Sequence, residues 1–142
     1  LGTDTIYPVS GTAMEPTDAC YIDLAFFNST LHTNPDFLYN LMMFFAAELK
    51  ESEKRMRNLA HMNVKGRIAN ALVYLQQKFG TDTNGFIDLS ISRQDLASYT
   101  GTTYESLFRT MNELVAENAI YTDGKKIRIL KENVLMALTE QE

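Results

Sequence analysis

Only one cysteine, Cys20, occurs in the 142 residues. A lone thiol excludes an internal disulfide framework and supplies no iron-sulfur or zinc ligand set, so a reducing, cytoplasmic setting is the simplest expectation. The two histidines, His32 and His61, stand far apart without metal-ligand spacing to a second strong ligand, which leaves them packing or solvated roles. Long apolar runs are also missing. The richest stretch, residues 37–49, contains Asn40 and Glu48 and is too short to span a bilayer, and no signal peptide is visible. There is no glycine-rich phosphate loop, and no nucleophile is spaced with a histidine and an acid, so the sequence argues against an enzyme. Positive charge is scarce: 13 Lys/Arg face 18 Asp/Glu, and a net charge of -5 argues against a general polyanion binder. The deficit is uneven, with four Lys/Arg against eight Asp/Glu in residues 1–60 and nine against ten in residues 61–142.

Apolar residues make up 45% of the chain, enough for a packed core. The most organised stretch is residues 91–120, ISRQDLASYTGTTYESLFRTMNELVAENAI. It divides into two amphipathic helices of about ten and fifteen residues. Leu96 and Ala97 face inward from the first, and Leu107, Phe108, Met111, Leu114 and Val115 from the second. Ser92 with Asp95, and Thr102 with Glu105, carry the hydroxyl-to-carboxylate spacing of capping boxes, and Gly101 lies between the helices. Such a pair is either a helix-turn-helix unit or an ordinary antiparallel helix pair. Two short apolar runs follow, Ala119-Ile120-Tyr121 and Ile127-Arg128-Ile129-Leu130. The Thr122-Asp123-Gly124-Lys125 between them makes a hairpin expected, and hence a winged helix. Lys125, Lys126 and Arg128 at its tip suit phosphate contacts, although lysines there also blunt a sheet edge.

Upstream, Thr5-Ile6-Tyr7 and Cys20-Tyr21-Ile22 read as short strands broken by Pro8, Gly11 and Pro16, the tail of a larger β domain. A short helix is expected over residues 23–31. Asn34-Pro35-Asp36 is a helix start, and the helix it opens runs to about His61. Leu38, Met42, Phe45, Leu49, Met56 and Leu59 fall on a heptad seam broken only at Ser52, with Phe37, Leu41 and Phe44 as a second stripe. Self-association is expected, because so long a helix has too little partner surface within one small chain; the alternative is packing of both stripes in one subunit. A helix over residues 63–79 turns Ile68, Leu72 and Leu75 inward, with Val64, Ala71 and Phe79 beside them. Phe86-Ile87-Asp88-Leu89 reads as a strand, and residues 131–139 as a closing helix with Val134, Leu135 and Leu138 inward.

This order of parts, with Val64-Lys65-Gly66-Arg67-Ile68-Ala69, the run from Ile91 to Arg109 and the hairpin Asp123-Gly124-Lys125-Lys126-Ile127, resembles the Crp/Fnr family of bacterial transcription regulators. The likeness implies a mainly α fold with small β wings. Residues 1–33 would be the remnant of an effector-binding β-roll with a short helix, 34–61 a dimerisation helix and 62–142 a winged helix-turn-helix domain. It implies a homodimer acting on a near-palindromic operator, with double-stranded DNA, a second copy and RNA polymerase as partners and no membrane. Glu105 and Arg109 occupy the family's base-reading positions, one helical turn apart, where both tips reach the groove floor. The bland counterpart is an intrahelical ion pair. Arg93 resembles a phosphate contact, and Thr102, Thr103 and Ser106 suit backbone or capping contacts. Tyr104 stands where some members have Arg, and Phe108 where a small residue is common. No cofactor is evident. Leu1-Gly2 resembles the start of the family's phosphate cassette, but Thr3 replaces its Glu and Tyr7-Pro8 falls near its Arg-Ser/Thr, which disfavours cyclic AMP as effector. The acidic balance keeps open a second reading, a winged-helix protein-interaction or assembly module without DNA binding.

Overall fold

The computed structural model describes residues 10–13 and 16–139. The Thr5-Ile6-Tyr7 run and the cassette positions Leu1-Gly2, Thr3 and Tyr7-Pro8 lie outside the described residues. Cys20-Tyr21-Ile22, expected as a strand, has no regular structure and is exposed. A strand needs a neighbour for its backbone groups, and none of the described strands pairs with it.

Helix α1 (Leu24–Thr33) begins at Asp23, whose carboxylate accepts from the Phe26 amide at 2.9 Å. Helix α2 (Pro35–His61) follows after one residue and runs for 27. Its start is the expected one: the Asn34 side chain accepts from the Phe37 amide, Pro35 occupies the first turn, and Asp36 meets the positive end of the helix dipole. The Phe27 and Phe37 rings meet edge to face at 6.0 Å, holding α1 on α2. Neither helix has a buried residue.

The core lies in the second half of the chain. Helix α3 (Val64–Phe79), capped by Asn63, buries Ile68, Ala69, Ala71, Leu72, Val73 and Leu75. Helices α4 (Arg93–Tyr99) and α5 (Tyr104–Ala116) add Leu96, Ala97, Leu107, Met111 and Leu114, and the closing helix α6 (Glu132–Thr139) adds Leu135. Each large aliphatic side chain fully withdrawn from water contributes about 1.5–3 kcal/mol, so the stability of the unit rests on this cluster. Phe108 and Val115, expected inward, are exposed instead, while Thr110 is buried. The buried face of α5 is centred on Leu107, Thr110, Met111 and Leu114, rotated away from the Phe108 edge.

Strands β1 (Ile120–Asp123) and β2 (Lys126–Ile129) form an antiparallel hairpin whose last rung pairs Asp123 with Lys126. The connection is therefore Gly124-Lys125, one residue later than an Asp-Gly turn. Gly124 takes φ 55°, the left-handed conformation that primed hairpin turns demand at this point. Of the expected Phe86–Leu89 strand only Ile87 bridges, to Thr81, and its amide donates to the Ile127 carbonyl at 2.8 Å. Phe86 and Ile87 are buried, so the segment packs against the wing without a full ladder. No helix among the described residues is long and apolar enough to cross a membrane.

Candidate nucleic-acid interface

The α4–α5 junction sets the outward face. Ser92 accepts from the Asp95 amide and donates to its carboxylate, closing the first helix start as expected. The second start is displaced by one residue. Thr102 still belongs to the end of the preceding turn, its amide donating to the Ala97 carbonyl at 3.0 Å, and Thr103 is the cap, accepting from the Ser106 amide at 3.2 Å. The Thr103 hydroxyl also donates to the Ser106 hydroxyl at 3.1 Å. Glu105 thus falls outside the box position, and among the described residues no backbone amide donates to its carboxylate.

Glu105 and Arg109 are both exposed, and neither makes an ion pair or side-chain hydrogen bond with the described residues. At about 100° per residue they lie opposite the buried Leu107–Thr110–Leu114 face. Tyr104 and Phe108 flank them, exposed and stacked on each other. Thr103 is exposed beside them, and Thr102 and Ser106 are half-buried.

The wing separates its cations into free and engaged ones. The Lys125 ammonium is exposed and unpartnered among the described residues, whereas Lys126 bridges to the Asp82 carboxylate at 3.0 Å and lies over the Phe86 ring. Asp82 also accepts from the Asn84 and Phe86 amides. The Lys126 hydrogen bond, ahead of opposing desolvation, holds its carboxyl below the ordinary carboxylate range. Arg128 lies against both the Phe86 and Tyr121 rings, which also touch each other, and donates to the Asn84 carbonyl at 3.2 Å. Arg93 is half-buried, and its terminal nitrogens donate to the Gly124 and Lys125 carbonyls at 3.1 and 3.3 Å. Partial burial lowers its pKa, with Tyr104 acting the other way, yet a guanidinium stays charged under any ordinary condition. The first contact of Arg93 is therefore the wing, which it fastens to the start of α4.

The heptad residues of α2 are open. Leu38, Met42, Phe45, Leu49, Met56 and Leu59 are between 46% and 61% exposed, so among the described residues this apolar stripe is left largely open. Phe44 of the second stripe is exposed as well, while Phe37 and Leu41 are half-buried. Arg55, near the end of the helix, stacks over Tyr74 and Tyr99. Burial pushes the Tyr99 phenol up and Arg55 pulls it back.

Three structural residues escape a pattern reading. Arg67 donates to the carbonyls of Met62, Thr100 and Gly101 at 3.0–3.1 Å, joining the end of α2 to the α4–α5 turn. Gly66 lies so close to α6 that an added Cβ would stand 2.7 Å from the Leu138 carbonyl oxygen. Asp82 organises the loop behind the wing, and the turn-forming run Thr81-Asp82-Thr83-Asn84-Gly85 was the available signal for it.

A short helix pair with an exposed second helix, followed at once by a two-stranded hairpin, defines the winged helix-turn-helix class. The family model for the Crp-like helix-turn-helix domain matches residues 66–138. The chain belongs to the Crp/Fnr family of transcription regulators. It is 30% identical over 141 residues to the transcriptional activator protein anr of Pseudomonas aeruginosa, covering 96% of this chain and 57% of that protein. To the cAMP-activated global transcriptional regulator CRP of Salmonella typhimurium it is 32% identical over 103 residues, 71% of this chain and 49% of that one. The chain thus spans about half the length of these relatives. Among solved structures, FixK2 from Bradyrhizobium japonicum shares the fold with a TM-score of 0.75 at 20% identity, covering 83% of this chain and 59% of that one. A CRP/FNR-family transcriptional regulator from Thermus thermophilus gives 0.69 at 28% identity, covering 76% and 56%.

Proposed function

We propose that this chain is the dimerisation and DNA-reading part of a bacterial cytoplasmic regulator that binds a near-palindromic operator as a homodimer. Residues 1–33 belong to the effector domain, 34–61 pair with a second copy, and 62–142 meet the duplex. In this reading α5 enters the major groove, Glu105 accepts from a cytosine amino group, and Arg109 donates two bonds to guanine. Two-fold pairing through α2 sets the recognition helices about 34 Å apart, one turn of DNA. Lys125 meets phosphate directly. Thr102, Thr103, Tyr104 and Ser106 line the approach, while Arg93 and Lys126 hold the wing and offer their remaining N–H groups to the backbone. RNA polymerase is a further partner, and the role is non-catalytic.

The observation that carries the reading is the free, outward carboxylate and guanidinium one turn apart on a helix whose opposite face is locked in the core. Selection from a random duplex pool followed by Arg109→Ala tests it. The variant should lose about 1–3 kcal/mol on the selected site and much less on random DNA. Equal loss on both would remove Arg109 from base reading.

Two observations favour an assembly module instead: Arg93, Lys126 and Arg128 all have internal partners, and the chain is acidic. Such a module would enrich no sequence in the same selection.

A further inference from the structure

Resting on the assignment of α5 as the reading helix, we propose that Tyr104 and Phe108 form an apolar ledge that selects thymine, through its 5-methyl group, beside the base pairs met by Glu105 and Arg109. The two rings lie nearly parallel, 13° apart with centroids at 6.2 Å, and remain 45% and 51% exposed. Val115 continues the same flank of the helix and is also exposed. The opposite flank carries Ser106 and Glu113, so the ledge is one-sided.

Its position decides its occupant. At about 100° per residue, Tyr104 and Phe108 sit roughly a quarter turn from Glu105 and Arg109, along the same two turns of helix. A surface that meets the polar pair meets the ledge next. In the major groove the edges of guanine, adenine and cytosine offer hydrogen-bonding atoms, while thymine alone adds a methyl group, for which a phenyl ring is a fitting contact. A ring facing guanine or cytosine would strip water from polar atoms without replacing the bonds. The ledge is therefore a discriminator that works by favouring thymine and penalising its alternatives. An aromatic pair spaced i, i+4 also supports its own helix without any partner. The two roles respond differently to removal of a methyl group from the DNA.

The test uses the dimeric protein and an operator selected from a random pool. Each thymine is replaced in turn by deoxyuridine, which lacks only the methyl. Binding should fall about fourfold at each thymine the ledge touches, the equivalent of one buried methyl. Phe108→Ala should abolish that sensitivity, and Phe108→Leu should keep part of it. If the operator is bound equally well with every thymine demethylated, the ledge is overturned while the base-reading role of Glu105 and Arg109 stands. If no sequence is enriched at all, the reading of α5 fails and takes the ledge with it. The deoxyuridine series on the unaltered protein decides even where the Phe108 variants fold poorly.

Discussion

Leu59, near the end of α2, reaches the α4–α5 turn so closely that its Cδ2 lies 2.7 Å from where a Cβ on Gly101 would stand. Gly101 also takes φ 61°, and an L side chain held there costs about 1–2 kcal/mol. Leu59 is half exposed and the atom in question is the far end of a flexible side chain, so the backbone cost should dominate. Gly101→Ala is expected to lose about 1–2 kcal/mol in urea unfolding, with Leu59→Ala restoring less than about 0.5 kcal/mol of it. Full rescue by the second change would show that crowding, not backbone conformation, demands glycine.

Gly66 presents the reverse case. Its neighbour is the backbone carbonyl of Leu138, which cannot move without shifting α6. Alanine favours a helix over glycine by about 1 kcal/mol, but overpacking at a helix contact costs about 1–3 kcal/mol. Gly66→Ala should therefore destabilise the domain despite its better propensity, as read by thermal unfolding. A gain in melting temperature would refute the close approach of α3 and α6.

The Asp82–Lys126 bridge gives the wing a pH dependence. Because the folded carboxyl is held below its ordinary value, its contribution is complete above about pH 4 and is lost as the pH falls through the depressed value. Amide protection in residues 82–87 and 120–129, taken relative to the intrinsic exchange rate at each pH, should fall on acidification within that window. Asp82→Asn should exchange faster at neutral pH and lose that dependence. An unchanged acid profile in the variant would assign the effect to another group.

The open stripe of α2 predicts concentration-dependent association. Met42→Asp or Phe45→Asp would bury an unpaired carboxylate in a paired helix at a cost of about 3 kcal/mol, raising the dimer dissociation constant more than about 100-fold. Sedimentation equilibrium should find monomers where the parent chain is paired. A parent chain that stays monomeric at high concentration would discard the pairing through α2.

The long helix and the helix pair were legible because their signals are local: Asn34-Pro35 and Ser92 announce their starts, and Ile68, Leu72, Leu96 and Leu107 mark the buried faces. The errors fell where two neighbours carry equivalent chemistry. Thr102 and Thr103 can each cap a helix, and only the turn at Gly101 decides between them. Phe108 looked like core because hydrophobicity does not say which edge of a stripe the rest of the fold covers. The engagement of Arg93, Lys126 and Arg128 was invisible, since their partners lie 31 to 44 residues away in sequence.

Arg67 gives the molecule a mechanical property. One planar, permanently charged group grips the residue that closes the rod and two successive carbonyls of the bend preceding α5. Twisting the rod relative to α5 would strain all three bonds, and a guanidinium keeps its charge at any ordinary acidity. One side chain thus works as a rivet, tying the last turn of α2 to the bend before α5 at three points.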